Sequence, residues 1–385
     1  MGTRKREVRF ELLRIVAMCM VITLHYLNHT GLLPSTERGG LGGSRGILAL
    51  LLESFCIVAV NVYVMISGYF LPVSGFRIRR LLQLVAEIYF YSILIPVILL
   101  AAGVETGGQQ AGMYAVLPWI LPLQTEHYWF ATSYVILYLL APLLNTACRH
   151  LRKETMALTL LLLLVWFSIS KSILPVAMVT DDYGYGFGWF VCVYLTGAYV
   201  RLHGLPWKKK QGRALAVYLI CSLLTFLLGL GSFLVYEKTG SLGYVTGLPY
   251  HYNFILCYIG AAALFLTAAG RSTKQADAVS GVSHWRERMS RWICRISPLT
   301  FGVYLMHEHV LVRQQWTVWI QQVTGPVTEL SIGLVLLHWI LSVLAVFFLG
   351  CILGACRKLV FSAAGKVMAG RSWDRYLSSW DHYFS

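Results

Sequence analysis

The chain has 385 residues, of which 57% are hydrophobic and 13% charged, and its mean hydropathy is +0.64. Soluble domains carry about 25% charged residues, so a soluble fold is excluded, and long continuous apolar runs exclude the alternating pattern of a membrane β-barrel. The net charge of +15 does not mark a nucleic-acid partner, because the basic residues cluster in short segments between apolar runs.

The first apolar run, 9–30, follows a basic tail; it is long and no A-x-A-like cleavage site follows it, so it reads as a retained span. Nine further runs follow at about 47–71, 80–102, 126–148, 155–175, 187–203, 213–236, 251–270, 299–322 and 332–361. The expectation is an all-α polytopic membrane protein of about ten transmembrane helices, one membrane domain over 1–385. With both termini cytoplasmic, the inner segments hold 26 basic residues and the outer ones five, the asymmetry that orients membrane proteins. Two basic, aromatic segments, about 282–297 and 371–385, read as amphipathic helices on the anionic inner leaflet. Nine scattered cysteines with no C-x-x-C argue against disulfides or a zinc site.

Ionisable residues inside spans are costly and mark function. Arg14 and His25 are eleven residues apart. At 100° per residue that is three turns plus about 20°, so both lie on one helix face, roughly 16 Å apart along the axis. Glu11 precedes Arg14 by three residues, and Asn28 and His29 follow His25 by one turn. Each polar residue taken alone has a plain reading as an isolated hydrogen-bonder. An Arg and a His in register on one face suit a phosphate-bearing ligand at the inner end and a general base further out. A carrier with phosphates at one end and a reactive group at the other, such as coenzyme A, matches that separation. "SGFRIRR" adds Arg77 and Arg80, either as topology anchors or as a second phosphate clamp. Asn61 and Ser67 in the second span, Glu126 at the outer start of the fourth, and His307 and Glu308 in the ninth are further polar candidates.

These residues resemble the family-3 integral-membrane acyltransferases, in particular surface-polysaccharide O-acyltransferases. Arginine–ten residues–histidine on the first helix (Arg14, His25), Arg-x-x-Arg after the second (Arg77, Arg80), and the strings "ISGYFL", "YWF" and "YLMH" carry the resemblance, which covers nearly the whole chain. It implies that His25 is catalytic and that Arg14, Arg77 and Arg80 serve the acyl-CoA side. Glu11, Asn28, Asn61, Ser67, Glu126, His307 and Glu308 are left as supporting or acceptor-side residues. The implied reaction moves an acyl group, acetyl in the simplest case, from cytosolic acyl-CoA to a hydroxyl of an envelope sugar, polysaccharide or lipid-linked glycan. The implied location is the cell membrane, the cytoplasmic membrane of a bacterium, with membrane lipid as surroundings. Acyl-CoA is a co-substrate; no permanently bound cofactor, metal or nucleic acid is expected. The rival from residue chemistry alone is a transporter or flippase of a sugar or small anion, whose spans also carry charges; a second is a membrane sensor without enzymatic activity.

Overall fold

The computed structural model describes residues 6–368 apart from 38, 105–112, 175, 177, 179–181, 205–210 and 271–283; the side chains of 113–115, 126, 211 and 364–368 also lie outside the description. The expected amphipathic segment 371–385 falls wholly outside it. Among the described residues every regular element is helical, apart from one isolated bridge between Ser35 and Gly40. A chain in hydrocarbon must satisfy its backbone internally, and helices do so within each segment.

In chain order the helices of eight residues or more are α1 (Val8–His29), α2 (Gly43–Cys56), α3 (Ala59–Ser74), α4 (Ile78–Ala101), α5 (Met113–Ile120), α6 (Trp129–His150), α7 (Lys153–Ile173), α8 (Phe187–His203), α9 (Gln211–Thr239), α10 (Ile255–Ala269), α11 (His284–Ile296), α12 (Thr300–His307), α13 (Gln315–Thr324) and α14 (Ile332–Met368). Eight stretches among the described residues are helical, long and apolar enough to cross a membrane, so the protein is an all-α polytopic membrane protein. The expected sixth span is the 17-residue α8. The expected second span is two helices, α2 and α3, joined by a turn at Ile57 and Val58.

The ninth span departs most from expectation. It is not one helix over 299–322 but α12, an irregular stretch from Glu308 to Gln314, and α13. Irregular backbone at membrane depth is tolerated only where protein or a cavity satisfies its polar groups. Here two histidines do so. Val310 N–H donates to His127 Nε2 (3.3 Å) and Leu311 N–H to His309 Nδ1 (3.1 Å). His127 Nδ1–H in turn donates to the Pro118 carbonyl (2.8 Å), and His309 Nε2–H to that of Ser92 (3.3 Å). Each imidazole thus acts as donor at one nitrogen and acceptor at the other, the pattern of a neutral ring.

α1 is the central element, packed by α2, α3, α12 and α14. Its apolar window is 61% buried against 17% for α7, which places α7 at the rim facing lipid. The closest crossing is between α3 and α8. A Cβ on Gly68 would lie 2.0 Å from the Tyr194 carbonyl oxygen, and one on Gly197 2.2 Å from that of Met65. Only glycine permits that approach, the usual device for packing helices in lipid. α11 packs on α1 and exposes Trp285, Met289 and Trp292 among its arginines; it lies within the segment 282–297.

Candidate active site

One face of α1 lines a cavity of about 560 Å³. Its members Glu11, Arg14, Met18, Val21 and His25 recur every three or four residues, the spacing that stacks side chains on one side of a helix. From Glu11 to His25 this wall runs roughly 21 Å at 1.5 Å per residue. The two charged ends are joined by an apolar middle of Met18 and Val21.

At the Arg14 end, Arg14 Nη1 donates to Glu11 Oε1 (3.0 Å). Ser297 Oγ donates to the other carboxylate oxygen of Glu11 (2.5 Å), which ties α1 to the chain just before α12. The guanidinium also lies 5.8 Å from the Phe70 ring centroid. Glu11 therefore holds Arg14 in place and leaves its remaining donors for a ligand. Arg6 and Arg80 line the same end. Arg77 does not line it. It caps the start of α4 in an extended conformation, its backbone held by the Tyr138 hydroxyl at 3.2 Å, and its side chain is exposed.

At the other end His25 meets the break that follows α12. His307 Nδ1 lies 2.6 Å from the Val303 carbonyl and must donate to it. That leaves His307 Nε2 unprotonated in the neutral ring. His25 Nδ1, 2.9 Å away, is then the donor to it. His25 in turn carries its free lone pair on Nε2, which makes no hydrogen bond among the described residues. Glu308 Oε1 sits 3.1 Å from the same His25 Nδ1 but out of line for a hydrogen bond, and is otherwise unpartnered. A carboxylate placed there would favour the imidazolium form of His25 over the neutral ring. The side chain of His25 is 20% exposed, while His307 is fully buried. His25, His307 and Glu308 present ligand atoms within 4.8 Å of one another, so among the described residues they are the set through which a metal ion would be held. The completed hydrogen-bond relay gives them a use that requires none.

The other expected residues are placed as follows. Ser67 lines the cavity; its hydroxyl donates to the Tyr63 carbonyl (3.2 Å) and lies 3.2 Å from the Tyr134 hydroxyl, from which it can accept. Asn61 is buried off the wall; it accepts from Trp189 Nε1 (3.0 Å) and donates to the Tyr252 carbonyl (2.7 Å). Asn28 is exposed and off the cavity. The His29 ring is 6.2 Å from that of His25. Glu126 opens a short 3₁₀ turn, Glu126–Tyr128, and its side chain lies outside the described residues. Residues that spacing did not single out complete the wall: Tyr63, Trp129, Phe130, Tyr252, Phe301 and Tyr304. Aromatic side chains in apolar runs carry no sequence signal that separates a cavity wall from packed core.

Fold and site together define a multi-pass membrane protein in which a half-buried histidine stands at one end of a long cavity and arginines at the other. The chain matches the family 3 acyltransferase domain over residues 7–356, and it belongs to that family of acyltransferases. No curated protein and no solved structure shows a match.

Proposed function

We propose that this acyltransferase moves an acyl group, acetyl in the simplest case, from acyl-CoA to a sugar hydroxyl of an envelope polysaccharide or its lipid-linked precursor. The acyl-CoA phosphates rest on Arg14 and Arg80 at the cytosolic mouth. The pantetheine arm lies along Met18 and Val21, and the thioester reaches His25. The observation that carries this reading is the continuous cavity with arginines at one end and, at the other, a histidine whose Nε2 is left bare by the His307 relay.

The chemistry follows from that lone pair. Nε2 takes the proton of the acceptor hydroxyl as its oxygen attacks the thioester carbonyl carbon. The tetrahedral intermediate collapses, the C–S bond breaks, and the CoA sulfur leaves with the proton from His25. The same nitrogen can instead take the acyl group first and pass it on, in a ping-pong sequence. The charge asymmetry supports a cytosolic donor side in a bacterial cytoplasmic membrane.

The test uses purified protein with acetyl-CoA and a panel of sugar acceptors, reading CoA thiol release and product mass. Transfer to a sugar hydroxyl that is lost in His25→Gln is the expected result. Transfer unaffected by His25→Gln would remove the reading. Incubation with donor alone, followed by mass spectrometry of the α1 peptide, separates the two routes, since only the ping-pong route leaves an acyl mass on His25.

A further inference from the structure

Tyr304 lies one helical turn before His307, on α12, and lines the same cavity as His25. It is 5% exposed, and its hydroxyl has no hydrogen-bond partner. Leaving a buried hydroxyl unmade costs about 1–3 kcal/mol, so neighbouring tyrosines avoid it. Tyr128 donates to the Leu305 carbonyl (2.9 Å) and Tyr63 to that of Arg14 (2.6 Å). Among the described buried side chains on the cavity wall, Glu87 also has an unpartnered atom, but it faces Arg357 at 3.0 Å. Tyr304 is a donor with nothing to give to.

A second observation concerns what stands beside it. The Tyr304 phenol lies by the backbone of Phe130 and Ala131, in the first turn of the 22-residue α6. A helix start presents unshared N–H groups and a partial positive charge. Phe130 and Trp129 of that turn line the cavity as well. The Tyr304 ring is fixed by Phe130 (centroids 5.6 Å), Tyr128 (6.0 Å) and Phe301 (6.1 Å). Its distance from the base is short on the scale of the cavity, since its ring is 6.3 Å from His307, which holds His25.

We propose that the Tyr304 hydroxyl is the oxyanion donor of the reaction. When the nucleophile adds to the thioester carbonyl carbon, the π pair moves onto oxygen. Tyr304 O–H donates to that oxygen, and the start of α6 lends its positive end. The hydroxyl keeps its proton throughout; when the intermediate collapses the pair returns, the C–S bond breaks, and the CoA sulfur leaves with the proton held on His25. Preorganised donors of this kind act on charge that appears only in the transition state. The inference rests on the proposed use of the His25 cavity for acyl transfer.

Tyr304→Phe tests it, because the change keeps the ring packing and removes no hydrogen bond that the phenol donates to the fold. The expected result is a fall in kcat of about 10²- to 10³-fold, the usual loss of one oxyanion donor, with the acetyl-CoA KM within about threefold and unchanged thermal stability. Tyr91→Phe is the control. Tyr91 is also a buried, unpartnered phenol but lies off the cavity wall, and its removal should leave kcat unchanged. A Tyr304→Phe enzyme with kcat within about threefold of wild type overturns the inference, as does a loss confined to KM. His25→Gln separates the two levels: if it kills transfer while Tyr304→Phe does not, only the oxyanion role fails. If His25→Gln is itself active, the reading of the cavity fails first.

Discussion

His25 Nδ1 and His307 Nε2 are 2.9 Å apart, although 282 residues separate them in the chain. The contact joins the end of α12 to the first helix and sets which nitrogen of His25 is bare. Because His307 is locked by Val303, the tautomer of His25 follows from a backbone carbonyl two residues-in-contact away.

His307→Phe keeps a ring of similar size and removes the acceptor for His25 Nδ1–H. Acyl transfer should fall on the order of 10²-fold, within the range of general acid–base effects, while acetyl-CoA binding persists. Steady-state rates with a binding measurement check this. An unimpaired kcat would show that the His25 tautomer needs no help from His307.

Glu308→Gln keeps the shape and removes the negative charge beside His25 Nδ1. The imidazolium formed during transfer then loses a favourable neighbour. kcat should drop by about tenfold or more with KM little changed. A larger effect on KM than on kcat would assign Glu308 to substrate binding instead.

The arginines should separate. Arg14→Ala and Arg80→Ala should raise the acetyl-CoA KM by about tenfold each, the worth of one hydrogen bond to a charged group. Arg77→Ala should stay close to wild type, since its exposed side chain is not part of the cavity wall. Lysine at 14 should restore binding in part, because it keeps the charge and loses the planar fork. Equal effects at 77 and 80 would contradict this assignment of the donor mouth.

Gly68→Val should destabilise the fold without touching the chemistry directly. The new side chain would collide with the Tyr194 backbone, an obstacle that no rotamer change removes. Overpacking typically costs about 1–3 kcal/mol, and more is expected where backbone must move. A lowered melting temperature in detergent is the measurement; a wild-type melt would mean that α3 and α8 can separate freely.

Membrane orientation is tested by single-cysteine labels in a cysteine-free background. A label at Gly204 should react only from the cytosolic side and one at Gly240 only from outside. The reverse result would put Arg14 on the outer side and move the donor mouth with it.

Much of this protein was legible in its sequence because the bilayer constrains it so strongly. Apolar runs longer than a soluble helix needs have one outcome in lipid, and α8 lies at 187–203 as the hydropathy pattern predicts. Arg14 and His25 line one wall because eleven residues close three helical turns, a property of the helix alone. The resemblance carried by the same two residues pointed to the family that the domain match establishes.

The tertiary structure decided the rest, because it depends on contacts between distant segments. A periodic pattern does not reveal that the span around His307 breaks, since the break is stabilised by His127 and Ser92 from other helices. The HEH cluster reads as three equivalent polar residues in one dimension; in space His307 and Glu308 turn to His25 while His309 turns to the broken backbone. Arg77 and Arg80 are alike in sequence, yet only Arg80 lines the cavity, because Arg77 is the extended residue before α4 and Arg80 lies within its first turn. The bare phenol of Tyr304 has no sequence signature at all. An unmade hydrogen bond is a property of every neighbour that fails to approach, and only the folded packing determines that.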